Sequence, residues 1–213
     1  MTIIKINPEK FAVKELQPAV TILQRGGVIA YPTETVYGLG ANVYHEKAVR
    51  RIFEIKGRDP QKPLSIMIAS AKDVVDLCEK VPDFGKTLMA AYWPGPLTLI
   101  FQAAPKLPQY ILSMDKKIGL RFPDHPITRA LMKRHREPIT STSANISGQR
   151  DPVRASEVIE AFAGKVDLII DGGECRMKTP STVVDVSGSE PVLVREGAIP
   201  FVEIVKRLPG VTA

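Results

Sequence analysis

The chain has 213 residues, 44% hydrophobic and 24% charged, a balance that suits one soluble globular protein and excludes a disordered or fibrous one. Its formal charge of +6 sets up a field that favours polyanions, nucleotides and RNA alike, without choosing between them. Cys78 and Cys175 stand alone, with no C-x-x-C and no His-rich spacing nearby, which argues against a disulfide framework or a zinc site.

The N-terminal MTIIKINPEK has no long apolar h-region, and no run approaches the roughly 18 apolar residues of a membrane span. A cytoplasmic protein with no membrane association is expected. Leu16, Ala19, Val20 and Leu23 mark a helix face ended by Gly26, followed by the strand GVIAY and a turn at PTET. Ala48, Val49, Ile52 and Phe53 mark a second helix stopped by Gly57, and PLSIMIA then predicts a buried strand with Ser70 as the next N-cap. Further strands are predicted at LTLIFQ, IGLRF, PITSTS, VDLIID, TVVDV and VLVRE, and helices at Asp83 to Tyr92, Pro126 to His135 and Ser156 to Phe162. A last helix follows Pro200, a residue suited to the first helical position. Strands and helices interleave without a strict βαβ rhythm, so the expected fold is one α/β domain on a mixed sheet.

No G-x-x-x-x-G-K-[ST] is present, and GLGANV fails G-x-G-x-x-G at Val43. Any nucleotide must therefore be held by side chains and isolated loops. Six basic residues fall between Lys47 and Lys62 against two acidic ones. Lys47, Arg50 and Arg51 share an exposed helix face, where solvation is the ordinary outcome. Lys56, Arg58 and Lys62 instead lie at a helix-to-strand junction, where Arg58 can fork two phosphate oxygens; phosphate binding and a solvated loop both remain open there. In STSANISG, the alternate residues Ser141, Ser143 and Asn145 share one side of an extended backbone, as a hydrogen-bonding surface or as an ordinary polar turn. His45, His125 and His135 are too scattered for a metal or a His-based triad.

YPTETVYGLGAN, KGR, WPGPLTLI, IGLRFPDHPI, TSANISG and STVVDV with VLVREG occur in one order between Tyr31 and Gly197. Together they resemble the YrdC-like threonylcarbamoyl-AMP synthases in their short, single-domain form, with one domain over 1–213. The resemblance implies a twisted mixed sheet with flanking helices and a positively charged concave face. It implies an enzyme that joins L-threonine, bicarbonate or CO2, and ATP with Mg2+ into threonylcarbamoyl-AMP and pyrophosphate. A downstream transferase would then place the threonylcarbamoyl group on tRNA next to the anticodon.

By matching position, the resemblance puts Lys56, Arg58, Ser143 and Asn145 at the catalytic centre, with Arg58, Lys62, Lys117, Ser143 and Arg195 facing ATP. Thr35, Arg121, Ser141 and Ser181 would surround threonine, Arg121 pairing its carboxylate. Met67 stands where archaeal two-domain members have a threonine-contacting histidine. No metal ligand is assigned to a protein side chain. The segment Ser147 to Val153 has the polar, Gly-containing make-up of a lid, and also of a surface loop. Two other readings of the same basic face stay open: a double-stranded-RNA-binding protein, with direct RNA contact, and a carbamoylation-related enzyme with another substrate. Aromatics are only 6%, and no RNP, GXXG or zinc-knuckle motif supports the RNA reading further.

Overall fold

The computed structural model describes residues 1–208, so the last five residues of the predicted domain lie outside the described residues. In chain order the elements are β1 (Thr2–Lys5), α1 (Gln17–Gln24), β2 (Ile29–Tyr31), β3 (Gly38–Gly40), α2 (Glu46–Lys56), β4 (Ser65–Met67), α3 (Val74–Leu77), α4 (Asp83–Tyr92), β5 (Leu97–Gln102) and β6 (Lys117–Arg121). Then follow α5 (Pro126–His135), β7 (Ile139–Ser143), α6 (Ala155–Phe162), β8 (Leu168–Asp171), β9 (Thr182–Asp185), β10 (Val192–Arg195) and α7 (Phe201–Val205).

Helix ends follow the local chemistry read from the sequence. Gly26 and Gly57 take left-handed φ values of 75° and 57° after α1 and α2, which only glycine adopts without steric cost. The Ser70 side chain accepts from the Lys72 amide at the turn leading into α3. Pro200 sits at the N-cap of α7 rather than at the first helical position. Two strands carried no usable pattern. β1 is a short edge strand, and β3 is the tripeptide Gly-Leu-Gly, whose glycines look like a turn. The Tyr31 ring lies across them: a Cβ on Gly38 or Gly40 would come within 2.8 Å of it. Tertiary crowding, not propensity, selects glycine there.

The ten strands form one sheet in the order β1-β8-β2-β3-β7-β4-β6-β5-β9-β10, with parallel and antiparallel pairs mixed. One face is apolar across most of the sheet; Ala30, Leu39, Ile66, Leu99, Leu120 and Val184 pack there with residues of α2, α4 and α6. The opposite face is apolar on one half only, where Ile29, Tyr31, Ile139 and Ile170 pack against Leu23 of α1 and Leu131 of α5. On the other half, over β7, β4, β6, β5 and β9, the same face lines a cavity to which no helix contributes a residue.

Arg51 is more than a solvated helix residue. Its Nη1 meets Asp167 Oδ2 at 2.7 Å, and Asp167 also accepts from the Val28 amide, tying α2 to the start of β8. This partly exposed pair is a modest local clamp.

Because the Gly40 position is closed by Tyr31 and by Ile139 Cδ1 at 3.0 Å, Gly40→Ala is expected to cost about 1–3 kcal/mol through overpacking. Urea unfolding checks this, and an unchanged midpoint would show that the ring moves aside freely.

Candidate active site

The cavity encloses about 460 Å3. The two-residue strand period builds its floor: Ser141 and Ser143 from β7, Ser65 from β4, Lys117, Gly119 and Arg121 from β6, Thr98 and Ile100 from β5, Val183 and Asp185 from β9. A Cβ on Gly119 would lie 2.6 Å from Ser65 Oγ, so glycine keeps the middle of the floor open. Arg58, Ser181 and Arg195 close the rim. Seven of the residues expected from sequence (Arg58, Lys117, Arg121, Ser141, Ser143, Ser181 and Arg195) therefore line one cavity. Lys56, Lys62 and Asn145 line an adjoining cleft, which Arg58 and Ser143 share. Thr35 is fully buried behind the wall and reaches the site through Arg121. Met67 lies in the apolar cluster under α1 and α5 and does not line the cavity.

Lys56 is the last residue of α2 and is only 1% exposed. Its Nζ donates to Ser143 O at 2.5 Å, Asn145 O at 2.7 Å and Asn145 Oδ1 at 3.0 Å. Ser143 Oγ also donates to Asn145 Oδ1, at 2.7 Å. The two short motifs, K-x-R and S-x-N, are thus one hydrogen-bonded unit. Burial, and then the charge of Arg58, push the Lys56 amine down to about 8, while three oxygen acceptors stabilise its ammonium form. The ammonium is spent on the turn after β7 and leaves Arg58 as the free-facing charge of the motif.

The Arg58 guanidinium donates to the Lys62 and Pro63 carbonyls, both at 3.0 Å, so the loop aims it into the cavity. Burial and then the nearby Arg195 hold its pKa below the ordinary value. Arg195 is likewise lowered by burial; its Nη2 donates to Ser181 O at 2.8 Å. Arg58 is half-buried and Arg195 lies exposed at the end of β10, and two guanidiniums lining one cavity favour a bound anion. Lys117 Nζ pairs with Asp185 Oδ2 at 2.8 Å, and this contact, with bonds from Ser187, outweighs burial and keeps the Asp185 carboxyl below its usual range.

Sequence reasoning missed Glu34, Thr98, Asp115 and Asp185. Thr98 Oγ1 lies 2.8 Å from Ser181 Oγ, and Asp115 lines the cavity. Glu34 pairs with Arg121 at 2.9 Å. A signal was present: Glu34 is the only Asp, Glu, Lys or Arg between Gly26 and His45. The 147–153 segment is fastened to the body, with Ser147 N donating to Lys56 O at 2.9 Å and Tyr37 N to Pro152 O at 2.8 Å. Among the described residues, no group of three or more His, Cys, Asp or Glu side chains converges to hold a metal, and no helix is long and apolar enough to cross a membrane.

A family model, Sua5/YciO/YrdC, described as telomere recombination, matches residues 21–197. The chain belongs to the Sua5/YciO/YrdC family. It is 42% identical over 97% of its length to a threonylcarbamoyl-AMP synthase of Pyrococcus abyssi and 39% identical over 87% to one of Bacillus subtilis. It spans only 61% and 54% of those two relatives. Among solved structures, P. abyssi Sua5 complexed with L-threonine superimposes with a TM-score of 0.95 at 40% identity, over 99% of this chain and 62% of that one. E. coli YciO matches with a TM-score of 0.85 at 31% identity, over 92% of this chain and 96% of its own. The mixed α/β fold expected from sequence is the Sua5/YciO fold.

Two outcomes test this site. Lys56→Met would take the ammonium from the Ser143 and Asn145 carbonyls and leave Asn145 Oδ1 only its Ser143 partner, and a loss of about 2–4 kcal/mol in urea unfolding at pH 7 is expected; a loss under about 0.5 kcal/mol would show that the turn holds without the ammonium. His125, at the N-cap of α5, is pushed by burial from 6.5 down to about 4, with Glu34 opposing. Between those values the unfolded chain binds the extra proton, so this group's share of stability is present above pH 6.5 and lost as pH falls towards 4. His125→Asn is expected to flatten that acid limb relative to wild type in denaturation measured across pH 4–6.5; identical limbs would contradict the buried neutral imidazole.

Proposed function

We propose that this chain is an L-threonylcarbamoyladenylate synthase, which joins L-threonine, bicarbonate or CO2, and ATP with release of pyrophosphate. The observation that carries the reading is the cavity itself. Arg58 and Arg195, which have no carboxylate at ion-pair distance among the described residues, line one cavity with hydroxyl-bearing Ser141, Ser143 and Ser181 and the paired Arg121. A 40% identical relative of the same fold is described as complexed with L-threonine.

In this reading Arg121 receives the threonine carboxylate, with Ser141 and Ser181 beside it and Thr35 bracing Arg121 from behind. The α-amino nitrogen, once it has given up a proton, attacks the carbon of CO2. A carbamate forms and a second N–H proton is released. A carbamate oxygen then attacks the α-phosphorus of ATP; the new P–O bond forms as the bond to the β-phosphate oxygen breaks, and pyrophosphate leaves. Arg58 and Arg195 offset the repulsion among carbamate and phosphates and stabilise the departing charge. Lys62 adds positive charge at the margin, and Lys117, paired with Asp185, offers its remaining N–H donors. Lys56 and Asn145 hold the Ser143 turn in register so that the reacting groups meet in line. Magnesium fits this site as a partner of the triphosphate, because Asp185 is already engaged by Lys117 and Ser187; it would supply charge neutralisation on the phosphate oxygens. The product is a substrate for a downstream tRNA threonylcarbamoyl transferase, and RNA contact remains a separate expectation of the basic composition.

The test is incubation with ATP, magnesium, bicarbonate and L-threonine, following pyrophosphate release and the adenylate by mass spectrometry. Threonine-dependent formation of both is expected, and Arg58→Ala should lower turnover by about 100-fold or more with the fold intact. Absence of both products from a folded, ATP-binding sample would move the RNA-binding or alternative-substrate reading ahead.

A further inference from the structure

The cations around the cavity are not equivalent. Arg121 and Lys117 each have a carboxylate at ion-pair distance, Glu34 at 2.9 Å and Asp185 at 2.8 Å. Arg58 and Arg195 have none among the described residues; their guanidiniums donate only to neutral carbonyl and hydroxyl oxygens. Asp59 and Asp151 act on Arg58 and Arg195 only from beyond ion-pair distance, so the directly compensated cations are Arg121 and Lys117 and the uncompensated ones Arg58 and Arg195.

The two neutralised cations also differ from each other. Asp185 lines the cavity beside Lys117, within reach of solvent and ligand. Glu34 is 1% exposed, lines no part of the cavity, and meets Arg121 from within the wall. Arg121 spends only Nη2 on the protein, on Glu34 Oε1 at 2.9 Å and Thr35 Oγ1 at 2.7 Å. Glu34 Oε2 and Arg121 Nε are buried with no partner, so the pair is joined by one nitrogen and not as a closed bidentate fork. Such a guanidinium still has donors for a ligand carboxylate, and the carboxylate behind it reduces its field at a distance.

We infer that Glu34 is a specificity-determining positioning residue that partitions the cavity, reserving the Arg121 end for a zwitterionic amino acid and leaving the polyphosphate to Arg58 and Arg195. An unpaired Arg121 would repel an α-ammonium group and attract any polyanion, pyrophosphate included, into the amino-acid end. With Glu34 in place the Arg121 guanidinium itself presents no net charge to the ammonium, while the carboxylate is selected by hydrogen-bond direction. The synthase reading identifies the two ligands; the partition itself rests on the charge placement.

The experiment is calorimetric titration of pyrophosphate, and separately of L-threonine, into wild type and Glu34→Gln. Glutamine keeps an acceptor for Arg121 Nη2 and removes the charge. Wild type is expected to bind one pyrophosphate, and excess pyrophosphate should not displace L-threonine. Glu34→Gln is expected to gain a second pyrophosphate site, to bind L-threonine at least about tenfold more weakly, and to show competition between the two. Glu34→Asp, which restores the charge one methylene short, should regain the single site. A merely structural glutamate would weaken both ligands together and create no new anion site. One pyrophosphate site of unchanged affinity in a folded Glu34→Gln protein would overturn the inference. If that variant does not fold, competition between pyrophosphate and L-threonine in wild type overturns it equally well. Failure of wild type to bind L-threonine at all, with the second anion site still appearing in Glu34→Gln, would sink the synthase reading and leave the partition standing.

Discussion

The site depends on one geometric constraint: side chains alternate across a sheet, and only half of one face of this sheet is covered by helices. Along β4, β6, β5 and β9 alternate residues such as Ile66, Leu120, Leu99 and Val184 enter the apolar layer, and beyond Met67 and Ile139, which pack in the cluster under α1 and α5, the opposite side opens on the cavity. That uncovered half can therefore hold hydroxyls, a glycine and cations that no packed layer would tolerate. Ile139 and Ser141 show the changeover within one strand. Ile139 lies under α5 and Ser141 lines the cavity, although both point to the same side.

Lys56 makes the second connection, from helix to site. A helix C-terminus favours a cation, but this one is buried and its charge is carried by oxygens of the turn after β7. The helix end, the strand end and the Arg58 loop thereby become one unit. Losing any of the three would leave buried polar atoms unmet, which is why so short a motif holds its geometry without a phosphate loop.

Charge placement then divides the labour. Carboxylates sit behind or beside Arg121 and Lys117, and among the described residues only backbone and hydroxyl oxygens accept from Arg58 and Arg195. Arg58 and Arg195, without a carboxylate at ion-pair distance among the described residues, repel one another across the cavity, and a bound anion offsets that repulsion. A cavity with one neutralised and one cationic end suits a pair of substrates that differ in net charge.

Much of this was legible in the amino-acid order. Period-2 and period-3.6 patterns located most elements, Gly26 and Gly57 marked helix ends, and the K-x-R and S-x-N residues stood out as candidate ligand groups, because these signals are local. What they could not convey is long-range contact. β3 is a strand because the Tyr31 ring lies across its glycines. Lys56 reads as one more loop cation until Ser143 and Asn145, nearly ninety positions away, are brought to its ammonium. Glu34 reads as part of a turn until folding brings the Arg121 guanidinium against its carboxylate. Sequence by itself determined the α/β class, the basic character and the residue types available for anion binding, since propensity and composition act over a few neighbours. Only the tertiary structure decided which cations are neutralised and which remain free, since ion pairing depends on distances that only folding sets.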